Sequence, residues 1–257
     1  MADSIIVERG RVTRVRLNRP DVRNALDQAT IAALAETFHA IADDEGVRAV
    51  VLSGEGKAFC GGADIGYMRA SLQWAREENE RDALRFSDMF RAIDDCPAPV
   101  VALVHGACLG GGVGLIAVCD VAVAAEDALF GFTEAKLGIV PAVISPFVLR
   151  KIGQSHARAL FPTGERFDAE RALRIGLIHA IAPLPALAAA CQAIVDDLLT
   201  SGPQAARIAK KIARTVGSLP PDDARTWTAA RIADRRASDE GQEGLRAFLE
   251  KRKPTWR

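Results

Sequence analysis

The chain has 257 residues and a mass of 27.5 kDa, which suits one large domain with a substantial core. Hydrophobic residues make up 49% of the chain and charged residues 26%, a composition that excludes an intrinsically disordered protein. Lys and Arg together number 33, as do Asp and Glu, so the balanced charge gives no reason to expect a nucleic-acid or membrane partner.

The first half of the chain alternates short apolar runs with segments of helical periodicity. Such alternation predicts an α/β body with mainly parallel strands. In chain order, the predicted elements are strands at 5–7 and 14–17, a helix at 27–43, a strand at 47–52, a helix at 75–93, and strands at 99–104 and 121–124.

From Leu184 onward the strand pattern ends and only helical patterns remain. Apolar residues at helical spacing over 187–198 predict one helix, Pro203 opens the next, and two more follow. We therefore predict two regions, an α/β body at 1–195 and a helical appendage at 196–257. A helical region of this size rarely has its own core, so it should pack on the body or on another subunit.

Five cysteines lie mainly among apolar or small residues and form no Cys-x-x-Cys pair. This usage predicts reduced, buried thiols and a cytoplasmic location. The N-terminus lacks the basic and apolar segments of a signal peptide, and no apolar run approaches the length that spans a bilayer. No spacing typical of metal ligands stands out, so we expect no metal site.

Two glycine-rich stretches have the same order of features. In each, an apolar segment is followed by a cluster of glycines and then by the predicted start of a helix. The two stretches are Cys60-Gly61-Gly62-Ala63-Asp64 and Leu109-Gly110-Gly111-Gly112. Glycine lets the backbone approach a ligand closely, and the first amides of a helix have no partner within it. Two such amides directed at one oxygen stabilise negative charge there by about 3 kcal/mol each. Either stretch alone is more typical of a tight turn, but together they indicate a site that polarises a carbonyl.

The second stretch also fits a dinucleotide-binding pattern. The segment 112–117 satisfies G-x-G-x-x-G/A after a predicted strand, with Glu126 and Asp127 downstream. The next strand begins within about two turns, which is too short for the usual crossover helix. A dinucleotide enzyme is therefore an alternative with a poorer fit.

Several motifs, in a fixed order along nearly the whole chain, resemble the crotonase, or enoyl-CoA hydratase/isomerase, superfamily. The matching segments are Asn18-Arg19-Pro20, Arg23-Asn24-Ala25-Leu26, Ala58–Ile65, Gly106–Gly112, Cys119-Asp120, Phe130–Glu134, Leu137–Pro141, Gly176-Leu177-Ile178 and Gly244–Lys253.

The resemblance implies a spiral of ββα turns followed by a C-terminal helical trimerisation region. It implies a homotrimer or a homohexamer built as a dimer of trimers. It also implies an acyl-CoA thioester as substrate, with coenzyme A entering as part of that substrate and no permanently bound cofactor.

Individual residues also take roles by resemblance. The N–H groups of Ala63 and Gly111 correspond to the two donors to the thioester oxygen, and Glu134 corresponds to a catalytic glutamate. Surface solvation explains the charges of Arg23 and Lys251 almost as well as coenzyme A binding does. The residues that correspond to the coenzyme A surface are Arg23, Ala25, Lys57, Ala63, Asp64, Ile65, Phe248 and Lys251, the last two facing a nucleotide bound by a neighbouring subunit.

One position departs from the family pattern. Hydratases of the family usually carry a second glutamate where this chain has Gly114. A second acid from elsewhere, or an ordered water, could fill the space beside this glycine. The segments 110–115 and 137–148 resemble bacterial hydratases of branched glutaconyl-CoA esters, a group similar to the methylglutaconyl-CoA hydratase of leucine catabolism.

Three functions follow from these residues. The first is hydration of a short or branched 2-enoyl-CoA, with 3-methylglutaconyl-CoA among the candidates. The second is double-bond isomerisation, because the single carboxylate of Glu134 can move a proton between C2 and C4. The third is non-catalytic acyl-CoA binding, against which the retained Glu134 argues.

Overall fold

The computed structural model describes residues 3–257, which form two β-sheets covered by helices. The strands are β1 (Ile5–Glu8), β2 (Val12–Leu17), β3 (Ala49–Gly54), β4 (Val100–Val104), β5 (Ala107–Leu109), β6 (Val121–Ala125), β7 (Leu129–Gly131), β8 (Arg166–Asp168) and β9 (Ala180–Ala182). The larger sheet has the order β1-β2-β3-β4-β6-β9, in which only the first pair is antiparallel. The predicted mainly parallel α/β body is confirmed.

The smaller sheet has the order β5-β7-β8 and positions the second glycine turn. Strands β5 and β7 are parallel neighbours, so their carboxyl ends lie at the same edge. The amide of Gly110, directly after β5, donates to the carbonyl of Gly131 at the end of β7, with an N···O distance of 2.9 Å. The segment that carries Glu134 therefore leaves the sheet beside Gly110.

Ten helices connect and cover the strands of the described chain, residues 3–257. The first begins at Asp27, whose side chain accepts a hydrogen bond from the Thr30 amide at 2.8 Å, and it buries the predicted apolar stripe. The helices are α1 (Gln28–Ala42), α2 (Ile65–Ser71), α3 (Arg76–Asp94), α4 (Gly111–Ala117), α5 (Ser145–Thr163), α6 (Ala169–Arg174), α7 (Leu187–Thr200), α8 (Pro203–Thr215), α9 (Pro221–Ala237) and α10 (Asp239–Leu249).

The larger sheet is buried on both faces. One face belongs to the main core, which includes apolar residues of α1, α3, α4 and α5. On the other face Val51 and Val101 pack with Cys191 and Val195 of α7. Because both faces are covered, the central strands read as continuous apolar runs rather than as alternating ones.

Helix α8 contacts the body through half-buried charged side chains. The Lys210 ammonium lies 2.7 Å from the Asp120 carboxylate, and Arg207 donates to the Val47 carbonyl at 2.9 Å. Residue 195 lies within α7, which continues to Thr200. The division into two regions stays a prediction, and the structure would place it at the break between α7 and α8.

All five cysteines, which lie within residues 3–257, are buried and carry free thiols, as predicted. Burial raises the pKa of Cys60 and of Cys119 to about 12, well above the ordinary value for a thiol. Both thiols are therefore protonated at neutral pH.

No single helix within residues 3–257 combines the length and the apolar composition needed to cross a membrane. The helical segments Leu184–Thr200 and Pro203–Ser218 have that length and composition only when taken together, and a bend of 107° separates them.

Candidate active site

A cavity of about 220 Å³ lies where the two glycine turns meet the 3-10 helix Thr133–Leu137. Ala63, Gly111 and Glu134, which the sequence singles out separately, all line it. The remaining lining is mostly apolar. The full set is Gly61, Gly62, Ala63, Met68, Phe86, Gly110, Gly111, Thr133, Glu134, Leu137 and residues 139–144.

The two glycine turns run side by side and are joined through their backbones. The Cys60 amide donates to the Ala107 carbonyl and the Leu109 amide donates to the Cys60 carbonyl, both at 3.0 Å. A Cβ placed on Gly112 would lie 2.7 Å from the Cys60 carbonyl oxygen, closer than real Cβ atoms approach. Glycine at 112 is therefore required for the close approach of the two turns.

The amide of Ala63 is oriented by the backbone hydrogen bonds of the residues on either side of it, Gly62 and Asp64. Leu26 donates to the Gly62 carbonyl at 2.7 Å and accepts from the Asp64 amide at 3.0 Å. Peptide groups alternate in direction along an extended segment, so the N–H of Ala63 points away from Leu26. Within the described residues, neither this N–H nor that of Gly111 donates to another protein group. Both amides are thus free to bind an oxygen in the cavity.

Asp64 begins α2, as the sequence predicts. Its Oδ1 accepts from the amides of Gly66 at 2.7 Å and Tyr67 at 3.1 Å, and its Oδ2 lies 3.0 Å from Nη2 of Arg19. Burial on its own raises the pKa of the Asp64 carboxyl, but the donors from Tyr67, Arg19 and Gly66 together hold it below its ordinary value. The residue next to Ala63 is therefore a charged carboxylate in a fixed position.

The carboxylate of Glu134 lies against the second glycine turn. Gly110 has φ 49°, a left-handed conformation that favours glycine, and a Cβ there would lie 3.2 Å from Glu134 Oε1. Oε2 of Glu134 is buried and has no hydrogen-bond partner among residues 3–257. Burial raises the pKa of Glu134 above its ordinary value, and its own backbone amide offsets only part of that effect. A largely buried carboxylate with one unpaired oxygen and a raised pKa inside a cavity is typical of a general acid or base.

The space expected beside Gly114 does not exist. A Cβ at this position would lie 2.4 Å from Cγ2 of Ile144 and 2.7 Å from Cζ of Phe90. Phe90 is fully buried and stacks at an angle with Phe86 and Phe147. The expectation of a second acid or an ordered water there is therefore wrong, because two apolar side chains already fill the position.

The raised pKa of Glu134 makes the stability of the fold depend on pH. Below about pH 4.5 the carboxyl is protonated in both the folded and the unfolded chain, so burial costs nothing. As pH rises, the unfolded chain ionises first and the folded state loses stability until the raised pKa is passed. We expect Glu134→Gln to be more stable than the wild type, by a margin that grows as the pH rises above the ordinary carboxyl pKa of 4.5 and levels off above the raised pKa. Scanning calorimetry across this range measures it, and a margin that is constant with pH would contradict the assignment.

The candidate coenzyme A residues divide into two groups. Arg23, Lys57 and Ile65 are exposed, and the Arg23 carbonyl accepts from the amide of the cavity residue Gly61 at 2.7 Å. Phe248 lies on α10, Lys251 follows that helix, and both are exposed. Within the described chain, neither lines this cavity. Their assignment to a neighbouring subunit's nucleotide stays a prediction.

Ala25, the remaining candidate outside the first glycine turn, is buried. Its carbonyl accepts from Nη1 of Arg19 at 2.5 Å. Arg19 therefore contacts both the Ala25 backbone and the cap of α2, a role that the sequence alone did not reveal.

Sequence reasoning also missed part of the cavity wall. Met68 and Phe86 line the cavity, and Cζ of Phe86 lies 3.2 Å from where a Cβ of Gly111 would be. The helical pattern over 75–93 indicates which residues of α3 are apolar. It does not indicate which of them meet a glycine turn, because that depends on how α3 crosses the turn.

Comparison with known proteins agrees with this geometry. The family described as enoyl-CoA hydratase/isomerase matches residues 8–257. The chain is 34% identical over 254 residues to a crotonyl-CoA hydratase of Syntrophomonas wolfei, a match that covers 98% of this chain and 96% of the relative.

Two solved structures share the fold closely. AtuE of Pseudomonas aeruginosa is 38% identical with a TM-score of 0.96, over 98% of this chain and 99% of that one. An enoyl-CoA hydratase from Shewanella pealeana is 38% identical with a TM-score of 0.94, over 98% of this chain and 96% of that one. These matches confirm the crotonase-type fold with its C-terminal helices. By its sequence, its fold and its two glycine turns, the chain is an enzyme of the enoyl-CoA hydratase/isomerase family, within the crotonase superfamily.

Proposed function

We propose that this enzyme adds water to the double bond of a short 2-enoyl-CoA. The observation that carries the proposal is the meeting of two unpaired amides, those of Ala63 and Gly111, with the unpaired Oε2 of Glu134 in one cavity. The amides supply donors to a thioester oxygen, and the carboxylate supplies a base. The crotonyl-CoA hydratase of Syntrophomonas wolfei, which matches almost the full chain, supports the same reaction class.

In the proposed reaction Glu134 acts first as a base and then as an acid. Glu134 accepts a proton from water while the water oxygen forms a bond to C3, and the C2=C3 electron pair moves toward the thioester. The resulting enolate carries negative charge on its oxygen, which the amides of Ala63 and Gly111 stabilise without reorganising. Protonated Glu134 then gives the proton to C2. The product is a 3-hydroxyacyl-CoA, and Glu134 returns to its starting state.

A single carboxylate suffices for this cycle because the proton that leaves water is the proton that reaches C2. Phe90 and Ile144 fill the place of a second carboxylate, so Glu134 acts as both base and acid. Its raised pKa favours the first step, since a more basic carboxylate accepts a proton from water more readily.

The lining of the cavity supports a short, uncharged acyl group. No Lys, Arg or His belongs to that lining within the described chain, and residues 139–144 contribute only apolar side chains. The acyl end of 3-methylglutaconyl-CoA carries a carboxylate. Burying that carboxylate without a nearby cation costs roughly several kcal/mol. We therefore rank crotonyl-CoA above 3-methylglutaconyl-CoA as substrate.

Double-bond isomerisation is the second candidate, and the single carboxylate favours it. The same base can remove a proton from C2 of a 3-enoyl-CoA and return it to C4. The enolate intermediate and its stabilisation by the two amides are then the same as in hydration.

One assay separates these reactions. Crotonyl-CoA, 3-methylglutaconyl-CoA and a 3-enoyl-CoA are incubated with the protein, and the absorbance of the conjugated enoyl thioester is followed. We expect loss of absorbance, fastest with crotonyl-CoA. Gain of absorbance with the 3-enoyl-CoA alone would support isomerisation instead. Faster loss with 3-methylglutaconyl-CoA would overturn our ranking, and binding without any change would favour the non-catalytic alternative.

We also propose that the chain assembles as a homotrimer or homohexamer. The support is apolar surface on α10, where Phe248 is 81% exposed and Leu249 is 78% exposed. Light scattering coupled to size-exclusion chromatography tests the assembly, and a monomer over the working concentration range would refute it.

A further inference from the structure

The guanidinium of Arg19 lies between the first residues of two helices. One nitrogen, Nη2, lies 3.1 Å from Oδ2 of Asp27 and 3.0 Å from Oδ2 of Asp64. The other, Nη1, donates to the Ala25 carbonyl at 2.5 Å. Asp27 caps α1 and Asp64 caps α2. A single side chain thus joins two helix starts that are distant in sequence.

These contacts join two segments, which we name the 25–27 segment and the 62–64 segment. Leu26, in the middle of the first, is bonded through its backbone to Gly62 and Asp64, on either side of Ala63. Arg19 adds a second connection between the same segments, through side chains rather than the backbone. The direction of the Ala63 N–H depends on both connections. That N–H belongs to the same peptide group as the bonded carbonyl of Gly62, and the next residue, Asp64, caps α2.

We propose that Arg19 is a positioning residue that holds the Ala63 amide in the direction needed to polarise the thioester carbonyl. This inference rests on the proposed function of the same site. Arg19 does not line the cavity within the described residues, so it acts through Asp64 and the 62–64 segment. The side chain of Arg19 is only 24% exposed, and its planar fork suits several acceptors at once.

The magnitude follows from how sensitive such donors are to position. A misplacement of about 1 Å in an active site costs about 10²-fold in rate, and removal of one donor to a developing oxyanion costs about 10²–10³-fold. Two backbone bonds to Leu26 remain when Arg19 is lost, so the displacement should be partial. We expect Arg19→Gln to lower kcat by about 10- to 100-fold and to change KM by less than about threefold.

Arg19→Lys and Arg16→Gln are the matched variants. Lysine keeps the charge but cannot reach the Ala25 carbonyl and both carboxylates together, so its kcat should lie between those of the wild type and Arg19→Gln. Arg16, on β2, forms ion pairs with Glu8 of β1 and with Glu55, which follows β3, and it does not line the cavity within the described residues. Arg16→Gln should keep kcat within about twofold of the wild type, because exposed ion pairs contribute little. Thermal unfolding of each variant shows whether the fold is retained.

Infrared spectroscopy of a bound ester tests the position of the amide directly. Crotonyl-CoA labelled with carbon-13 at C1 is bound to Glu134→Gln, which consumes it only slowly, and to Glu134→Gln/Arg19→Gln. We expect the carbonyl band to shift to lower frequency on binding to the first protein and to return most of the way to its solution value in the second. An unshifted band in Glu134→Gln, or an equal shift in both, would overturn the role of Arg19.

The two proposals fail in different ways. If the wild type turns over no enoyl-CoA, the proposed function fails, whereas the carbonyl band still reports whether Arg19 positions Ala63. If the wild type is active and Arg19→Gln has the same kcat, or loses activity only in proportion to lost folded protein, the positioning role is refuted while the function stands.

Discussion

Replacing Glu134 with Gln is expected to lower kcat for crotonyl-CoA hydration by about 10²–10⁴-fold while the Kd of the ester changes less than about threefold. Gln keeps the shape of the side chain and its place against Gly110, but it cannot accept the proton that water loses. The two amides that bind the thioester oxygen are unchanged, so binding should persist. Stopped-flow absorbance for turnover and calorimetric titration for binding measure the two quantities separately.

Glu126→Gln is the control for this substitution. Glu126 is exposed in the turn after β6, and the same chemical change there should leave kcat within about twofold of the wild type. Glu134→Gln that retains more than about a tenth of wild-type kcat would sink the assignment of Glu134 as acid and base.

Installing the missing family glutamate through Gly114→Glu should prevent folding rather than create a two-carboxylate site. Even a Cβ at 114 would lie 2.4 Å from Ile144 and 2.7 Å from Phe90. Overpacking of a core costs about 1–3 kcal/mol, and an unpaired buried carboxylate adds several more. The sum approaches the roughly 5–15 kcal/mol by which whole domains are stable. Soluble yield and urea unfolding measure the effect.

Gly217→Glu is the matched control, because a Cβ on Gly217 meets nothing within 4 Å. It should fold normally. Gly114→Ala isolates the steric part of the effect. Alanine favours a helix interior by about 1 kcal/mol over glycine, so a net loss of about 1–3 kcal/mol would show that the clash wins. The loss should shrink when Ile144→Ala is added. A Gly114→Glu protein as stable as the wild type would contradict the filled position.

The glycine turns and Glu134 were predictable because their information is local. Glycines before a helix start permit free amides, and the resemblance supplied the register that connects Ala63, Gly111 and Glu134. The structure brings these three residues to one cavity, although their catalytic roles stay predictions. Strands β1 to β4 and β6 and helices α1 and α3 were likewise predictable from apolar runs and periodicity, whereas the 19-residue helix α5 was not predicted.

Other features depend on contacts between distant segments, which one sequence does not contain. Strands β5, β7 and β8 have three residues each, too few for a periodic pattern. The filling of the position beside Gly114 needs α3 and the start of α5 to converge on α4. Arg19 reads as part of a short family motif, and its link to Asp64 appears only when α1 and α2 begin side by side.

The buried thiols beside the glycine turns have a consequence for the chemical durability of the enzyme. A 2-enoyl thioester is an electrophile at C3. A cysteine thiolate can add to such a carbon, and this addition inactivates a protein. Cys60 directly precedes the cavity residue Gly61, yet burial holds its pKa at about 12. At neutral pH the thiol is therefore protonated, and Cys60 is fully buried. The packing that joins the two turns therefore also protects the enzyme from alkylation by its own proposed substrate.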